Sequence, residues 1–126
     1  MKGYHGHIEE ETLKNSFFRK VLFTGKHAQL VVMSLDPGEE IGMEVHAGVD
    51  QFFRIEQGAA LFTLDGEERA AKDGDAVIVT AGIWHNVKNV SQGLLKLYTI
   101  YSPPNHPPGT VHMTKAEADA AEEHHH

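Results

Sequence analysis

The chain contains no cysteine. This removes disulfides, thiolate metal ligands and a cysteine nucleophile, so any bound metal must be held by His, carboxylate, amide or water. Positive charge is scarce, with 11 Lys and Arg against 18 Asp and Glu for a formal net charge of −7. Such a surface repels phosphate backbones and anionic head groups, which argues against nucleic acid and membranes as partners. No apolar run approaches the roughly 20 residues of a membrane helix. The opening MKGYHGHIEEE lacks the basic-then-apolar order of an export signal, so the expected location is the cytoplasm. What is present is ordinary for a soluble domain: 126 residues, 40 % hydrophobic and 23 % charged, with room for one buried core.

The apolar residues fall in short clusters: 17–23, 29–35, 42–46, 52–55, 60–64, 76–79, 85–87 and 94–101. None keeps a helical period over three turns, and the clusters are divided by turn formers such as Asp36-Pro37-Gly38, Asp65-Gly66, Asp73-Gly74 and Ala81-Gly82. Asp65-Gly66 is the clearest hairpin, because a two-residue primed turn needs positive φ at both positions. The pattern predicts an all-β jelly-roll barrel over residues 17–103. Residues 1–16 read as an N-terminal arm, packed on the barrel or on a second subunit. Residues 104–126 read as a Pro-rich loop and a short C-terminal helix. The run after Tyr101 contains Pro103, Pro104, Pro107 and Pro108, which fix φ and remove backbone donors. The helix opens with Thr114-Lys115-Ala116-Glu117, a capping-box pattern. His124, His125 and His126 read as native or as the remnant of a tag, and are set aside from site reasoning.

Glu44-Val45-His46 places a carboxylate and an imidazole two residues apart, and on a strand both fall on one face. Gln51 follows, and His85 opens a later predicted strand. Two imidazoles, a carboxylate and an amide oxygen suit a divalent ion such as Mn, Fe, Ni, Co or Zn. Glu44, His46 and His85 alone form a two-His, one-carboxylate set with positions left open.

The glycine spacing makes the pattern specific. Gly38, five residues, Glu44-Val45-His46, four residues, Gln51, six residues and Gly58 form one motif. Gly74, five residues, Thr80-Ala81-Gly82, two residues, His85, three residues and Asn89 form a second. Together they resemble the two motifs of the cupin superfamily, and the wording around Val49–Arg54 and Tyr101–Pro104 resembles small cupins labelled mannose-6-phosphate isomerase-like. The resemblance implies a double-stranded β-helix, a metal on residues 44, 46, 51 and 85, and a homodimer. This chain departs from the usual pattern at Glu44, Gln51 and Thr80, where the family has His, Glu and Pro. The carboxylate has therefore moved rather than vanished, and the ligand charge is unchanged. The exchange puts in doubt any chemistry carried over from three-His cupins, because donor type sets Lewis acidity and redox potential.

Alternation from Gln51 puts Phe53 on the same face, and on the last strand Leu95, Leu97, Thr99 and Tyr101 share a face that leaves Lys96 outside. Phe53 and Tyr101 are thus expected to wall a substrate pocket. Trp84 is expected to face the other way, over the outside of the sheet or in a dimer interface. Asp75 and Asn89 read as turn residues, and His5, His7 and His27 as solvated. His106 and His112 flank the stiff Pro-rich stretch, and if that stretch crosses the barrel mouth, His106 becomes a candidate acid or base. The expected function is a metal-dependent enzyme of isomerase or epimerase type acting on a small polar molecule such as a sugar or keto acid. The alternatives are an Fe or Mn dioxygenase and a non-catalytic module that binds a small ligand.

Overall fold

The computed structural model describes residues 2–123, so the terminal His124, His125 and His126 lie outside the described residues. In chain order the elements are α1 (Ile8–Lys14), β1 (Arg19–Thr24), β2 (Gln29–Leu35), β3 (Asp50–Gln57), β4 (Ala59–Leu64) and β5 (Glu67–Lys72). There follow β6 (Ala76–Val79), β7 (His85–Asn89), β8 (Leu95–Ser102), β9 (Val111–His112) and α2 (Lys115–Glu123). The strands form two antiparallel sheets, one of six strands in the order β6-β3-β8-β2-β1-β9 and one of three in the order β5-β4-β7. The expected all-β jelly-roll is what the chain forms.

The core follows from alternation. Phe53 and Ile55 of β3, Met33 and Leu35 of β2, Leu95 and Leu97 of β8 and Phe62 of β4 are all buried in one cluster. Phe53 meets Phe62 edge to face at 5.1 Å between ring centroids, a geometry the aromatic quadrupole favours. The β4–β5 hairpin turns at Asp65 and Gly66, both at positive φ (52° and 85°), the primed turn expected from that dipeptide.

Several expectations need correction. Residues 42–46 do not form a regular strand; Glu44 makes only an isolated antiparallel bridge with His85. β5 (EERAAK) is a strand without an apolar period, because it is a largely exposed edge. Part of the N-terminal arm is helical, and α1 packs on the chain's own β2, β3 and β8. Lys96 does point outward, yet it is buried beneath α1, where its Nζ donates to the carbonyls of Leu13 (2.7 Å) and Asn15 (2.8 Å). A cation there satisfies the orphan carbonyls at a helix C-terminus. The capping box of α2 forms reciprocally: Glu117 N donates to Thr114 Oγ1 and Thr114 N donates to Glu117 Oε2, both at 3.1 Å.

Candidate metal centre

Glu44 and His46 reach the site from the extended segment before β3, and His85 reaches it from the start of β7. Glu44 and His85 are locked in register by two backbone bonds, N–H to C=O in each direction, both 2.8 Å. One donor atom from each of Glu44, His46 and His85 lies within 4.8 Å of the others, and His46 Nε2 is 4.0 Å from Glu44 Oε1. His85 Nδ1 lies 3.0 Å from the Ile83 carbonyl. A carbonyl can only accept, so Nδ1 carries the proton and Nε2 keeps its lone pair for the site, the usual way of orienting a ligating imidazole. Gln51, opposite Tyr101 in the β3–β8 register, donates from Nε2 to Thr99 Oγ1 at 2.9 Å.

Among the described residues, His46 Nε2, Gln51 Oε1 and His85 Nε2 are buried polar atoms with no hydrogen-bond partner. Buried polar atoms left unpaired are rare and costly. Two of them, on His46 and His85, cluster with the Glu44 carboxylate and fit one divalent cation as their common partner, so these donors suit the metal that the motif spacing implies. Electrostatics agree. Burial, His85 and Arg19 all hold His46 below its ordinary pKa, so its imidazole is neutral and free to ligate. Without a cation, burial raises Glu44 to about 7, against the opposing pull of Arg19; a bound cation would keep that carboxylate ionised.

Above the donors opens a cavity of about 810 Å³. Its floor includes Glu44 and His46, one wall carries Arg19 and His112, and the Pro-rich loop crosses its rim with Pro104, Asn105, His106 and Pro107. Ala118, Ala121 and Glu122 of α2 line another side, a spacing that places all three on one helix face. The loop is tied down by Gln29, fully buried at the start of β2. Its Oε1 accepts from Asn105 N (3.1 Å) and His106 N (2.9 Å), while Nε2 donates to His106 O (2.7 Å) and Thr24 Oγ1 (2.9 Å).

The expected pocket residues divide. His106 lies at the rim, as the Pro-rich stretch suggested, and its Nε2 is 3.2 Å from the Tyr101 hydroxyl. Burial, then Arg19 and His112, hold its pKa near 3, so at neutral pH it is an uncharged hydrogen-bonding ring and not a resting acid. Tyr101 is buried beneath that rim, with edge-to-face contacts to His46 and His106 at 6.0 and 5.1 Å, and burial pushes its hydroxyl up to about 12. Phe53 does not reach the cavity; it lies deeper, in the core against Phe62. Trp84 is half exposed at the cavity edge and so belongs to the site. Asn89, expected as a turn residue, is instead the last residue of β7, and its side-chain amide donates to the carbonyls of Leu35 (3.0 Å) and Gly93 (2.9 Å). Sequence reasoning missed Arg19 and the α2 face. For Arg19 the available signal was its position at the head of a strand leading into the core.

A β-sandwich with inward-facing His and carboxylate donors at one mouth is the cupin architecture, and the chain belongs to the cupin family: the cupin-domain family profile matches residues 31–101. The uncharacterized protein YrkC of Bacillus subtilis is 51 % identical over 122 residues, 92 % of this chain, which spans 66 % of the length of that relative. An uncharacterized protein of Acanthamoeba polyphaga mimivirus is 43 % identical over 120 residues, covering 91 % of this chain and 74 % of its own. A Bacillus halodurans crystal structure superposes with a TM-score of 0.91 at 45 % identity, covering 93 % of each chain.

Proposed function

We propose that this cupin is a metal-dependent enzyme acting on a small polar oxygenated metabolite, by isomerase or epimerase chemistry of the kind its mannose-6-phosphate isomerase-like wording suggests. The observation that carries the reading is the cluster of Glu44, His46 and His85, with His46 Nε2 and His85 Nε2 buried and unpartnered among the described residues and with Glu44 and His46 lining an open cavity. A bound divalent ion would supply a Lewis acid to polarise a carbonyl or hydroxyl oxygen. Glu44, His46, Gln51 and His85 would hold it. His106 offers a neutral imidazole to a ligand oxygen at the rim, linked to the Tyr101 hydroxyl below. Pro104, Pro107 and Trp84 offer apolar surface to the bound molecule along the cavity lining.

The test is metal analysis by plasma mass spectrometry on untagged protein, with Glu44→Ala/His85→Ala as control. Near-stoichiometric metal is expected in the wild type, and its loss in the double variant. A sugar and keto-acid panel then follows, with metal present and stripped. No metal after reconstitution, or no metal-dependent turnover, would sink the enzymatic reading. The three-donor set Glu44, His46 and His85 favours a second reading, an Fe or Mn oxygenase. Substrate-dependent oxygen uptake under reducing conditions separates it from the first.

A further inference from the structure

Among the described residues, Arg19 is a buried cation without a counter-ion. Its side chain lines the cavity although the residue is only 6 % exposed. Among the described residues no carboxylate lies within 4.0 Å of it, and its Nε has no hydrogen-bond partner. The contacts it does make are neutral. One terminal nitrogen lies 3.1 Å from His112 Nδ1, the guanidinium carbon sits 5.3 Å from the Phe18 ring centroid, and the side chain reaches the Tyr101 hydroxyl. Arginine stays protonated in proteins, so this charge cannot neutralise itself as a buried lysine would. Burying an uncompensated charge is expensive, and its natural partner is a planar anion that accepts two parallel hydrogen bonds.

The other charges around the cavity do not fill that role. Lys115, the second cation near Phe18, is bonded to Asp119 on its own helix. Glu122 is exposed at the α2 rim. Glu44 belongs to the donor cluster and lies beyond ion-pair distance of Arg19.

We propose that Arg19 is a carboxylate-binding residue, and that the ligand is a small 2-oxo or 2-hydroxy acid whose carboxylate pairs with Arg19 while its neighbouring oxygen faces the Glu44/His46/His85 cluster. The second half rests on the metal reading; the first does not. His112 acts as a positioning residue: its Nδ1 accepts from one guanidinium nitrogen and so fixes the plane of the fork. The inference narrows the ligand from sugars and acids alike to acids.

The test is calorimetric binding with two matched pairs that differ only in the carboxylate, pyruvate against hydroxyacetone and lactate against propane-1,2-diol. Each is titrated into the metal-free and the Mn(II)-supplemented protein. We expect the wild type to bind each acid roughly 10- to 100-fold tighter than its neutral partner, the range for charge-assisted paired hydrogen bonds. Arg19→Met should abolish that preference and Arg19→Lys should keep part of it, with metal content unchanged in both. Failure to bind either acid, equal binding within the pairs, or a preference that survives in folded Arg19→Met would overturn the proposal. The wild-type pairs decide the matter even if a variant does not fold. An Arg19-dependent preference in protein that takes up no metal would leave the carboxylate site standing and remove the metal reading. Stoichiometric metal without acid preference would do the reverse.

Discussion

The two ends of the barrel are built on the same strands, yet they are chemically opposite. β3 and β8 run from Gln51 and Tyr101 at the mouth to Ile55 and Leu97 at the closed end. At the closed end Leu35, Phe53, Ile55, Phe62, Leu95 and Leu97 pack as an apolar cluster, with Phe53 and Phe62 in direct contact. At the mouth the inward groups are His46, Gln51, His85 and Arg19, four of whose polar atoms are buried without partners. Two residues of strand advance only about 6.6 Å, so the change from dry core to polar site is abrupt. The lesson is a division of labour. The closed end supplies folding energy, and the mouth spends some of it on groups that would be more stable in water or against a ligand.

If that division holds, the largest effect on stability comes from the closed end. Phe62→Ala, which empties the space against Phe53, should cost about 3–5 kcal/mol in urea unfolding while leaving metal stoichiometry unchanged in the folded fraction. A comparable loss from Glu44→Ala/His85→Ala in metal-free protein would break the comparison.

The next effect is a pH response confined to the mouth. His106 is held near pKa 3 in the folded state against an ordinary 6.5, so the unfolded chain binds more protons between those values. In metal-free protein His106 should therefore contribute a loss of stability as pH falls from 6.5 towards 3, of at most about 5 kcal/mol. His46, also lowered, acts in the same direction just below 6.5. Glu44 acts oppositely: raised to about 7 from an ordinary 4.5, it makes the native state bind more protons and reduces stability as pH rises from 4.5 to 7. His106→Asn should flatten the acid limb, whereas Phe62→Ala should lower the whole curve without changing its slope. An unchanged slope in His106→Asn would refute the assignment.

The smallest effect lies outside both ends. Thr114→Ala removes half of the capping box of α2 and should cost about 1 kcal/mol, read as a lowered unfolding midpoint. A much larger loss would mean that α2, with Ala118 and Ala121 on the cavity, is part of the folding core and not only a wall.

How much of this was legible in the sequence depends on range. Turn chemistry is local, so Asp65-Gly66 and Thr114-Lys115-Ala116-Glu117 announced their structures directly. The clustered donors Glu44, His46 and His85 were readable because glycine spacing fixes the register of the motif segments. Glu44 and His46 come together without a regular strand, since residues 42–46 make only the isolated bridge at Glu44. Phe53 was misread as a pocket wall because a period of two reveals the face of a strand but not the depth along it. β5 gave no signal because an exposed edge needs no apolar period, and α1 gave little because seven residues have scant intrinsic helicity and no side-chain N-cap. Arg19 was invisible as a site residue for a different reason. Its meaning comes from what it lacks among the described residues, a counter-ion, and that lack exists only in three dimensions.

Gln29 shows how narrow the choice of residue can be at a position with no chemistry of its own. The Pro-rich rim rests on an amide used from both sides, as acceptor of two backbone N–H groups and as donor to a carbonyl and a hydroxyl. Glutamate matches glutamine in size but offers no donors, so it would set a carboxylate oxygen against the His106 carbonyl. Methionine and leucine would leave the amides of residues 105 and 106 with nothing to bond. One uncharged residue type therefore fits both sides of the joint. The attachment of the rim is blind to proton concentration over the range in which the histidine it carries changes charge.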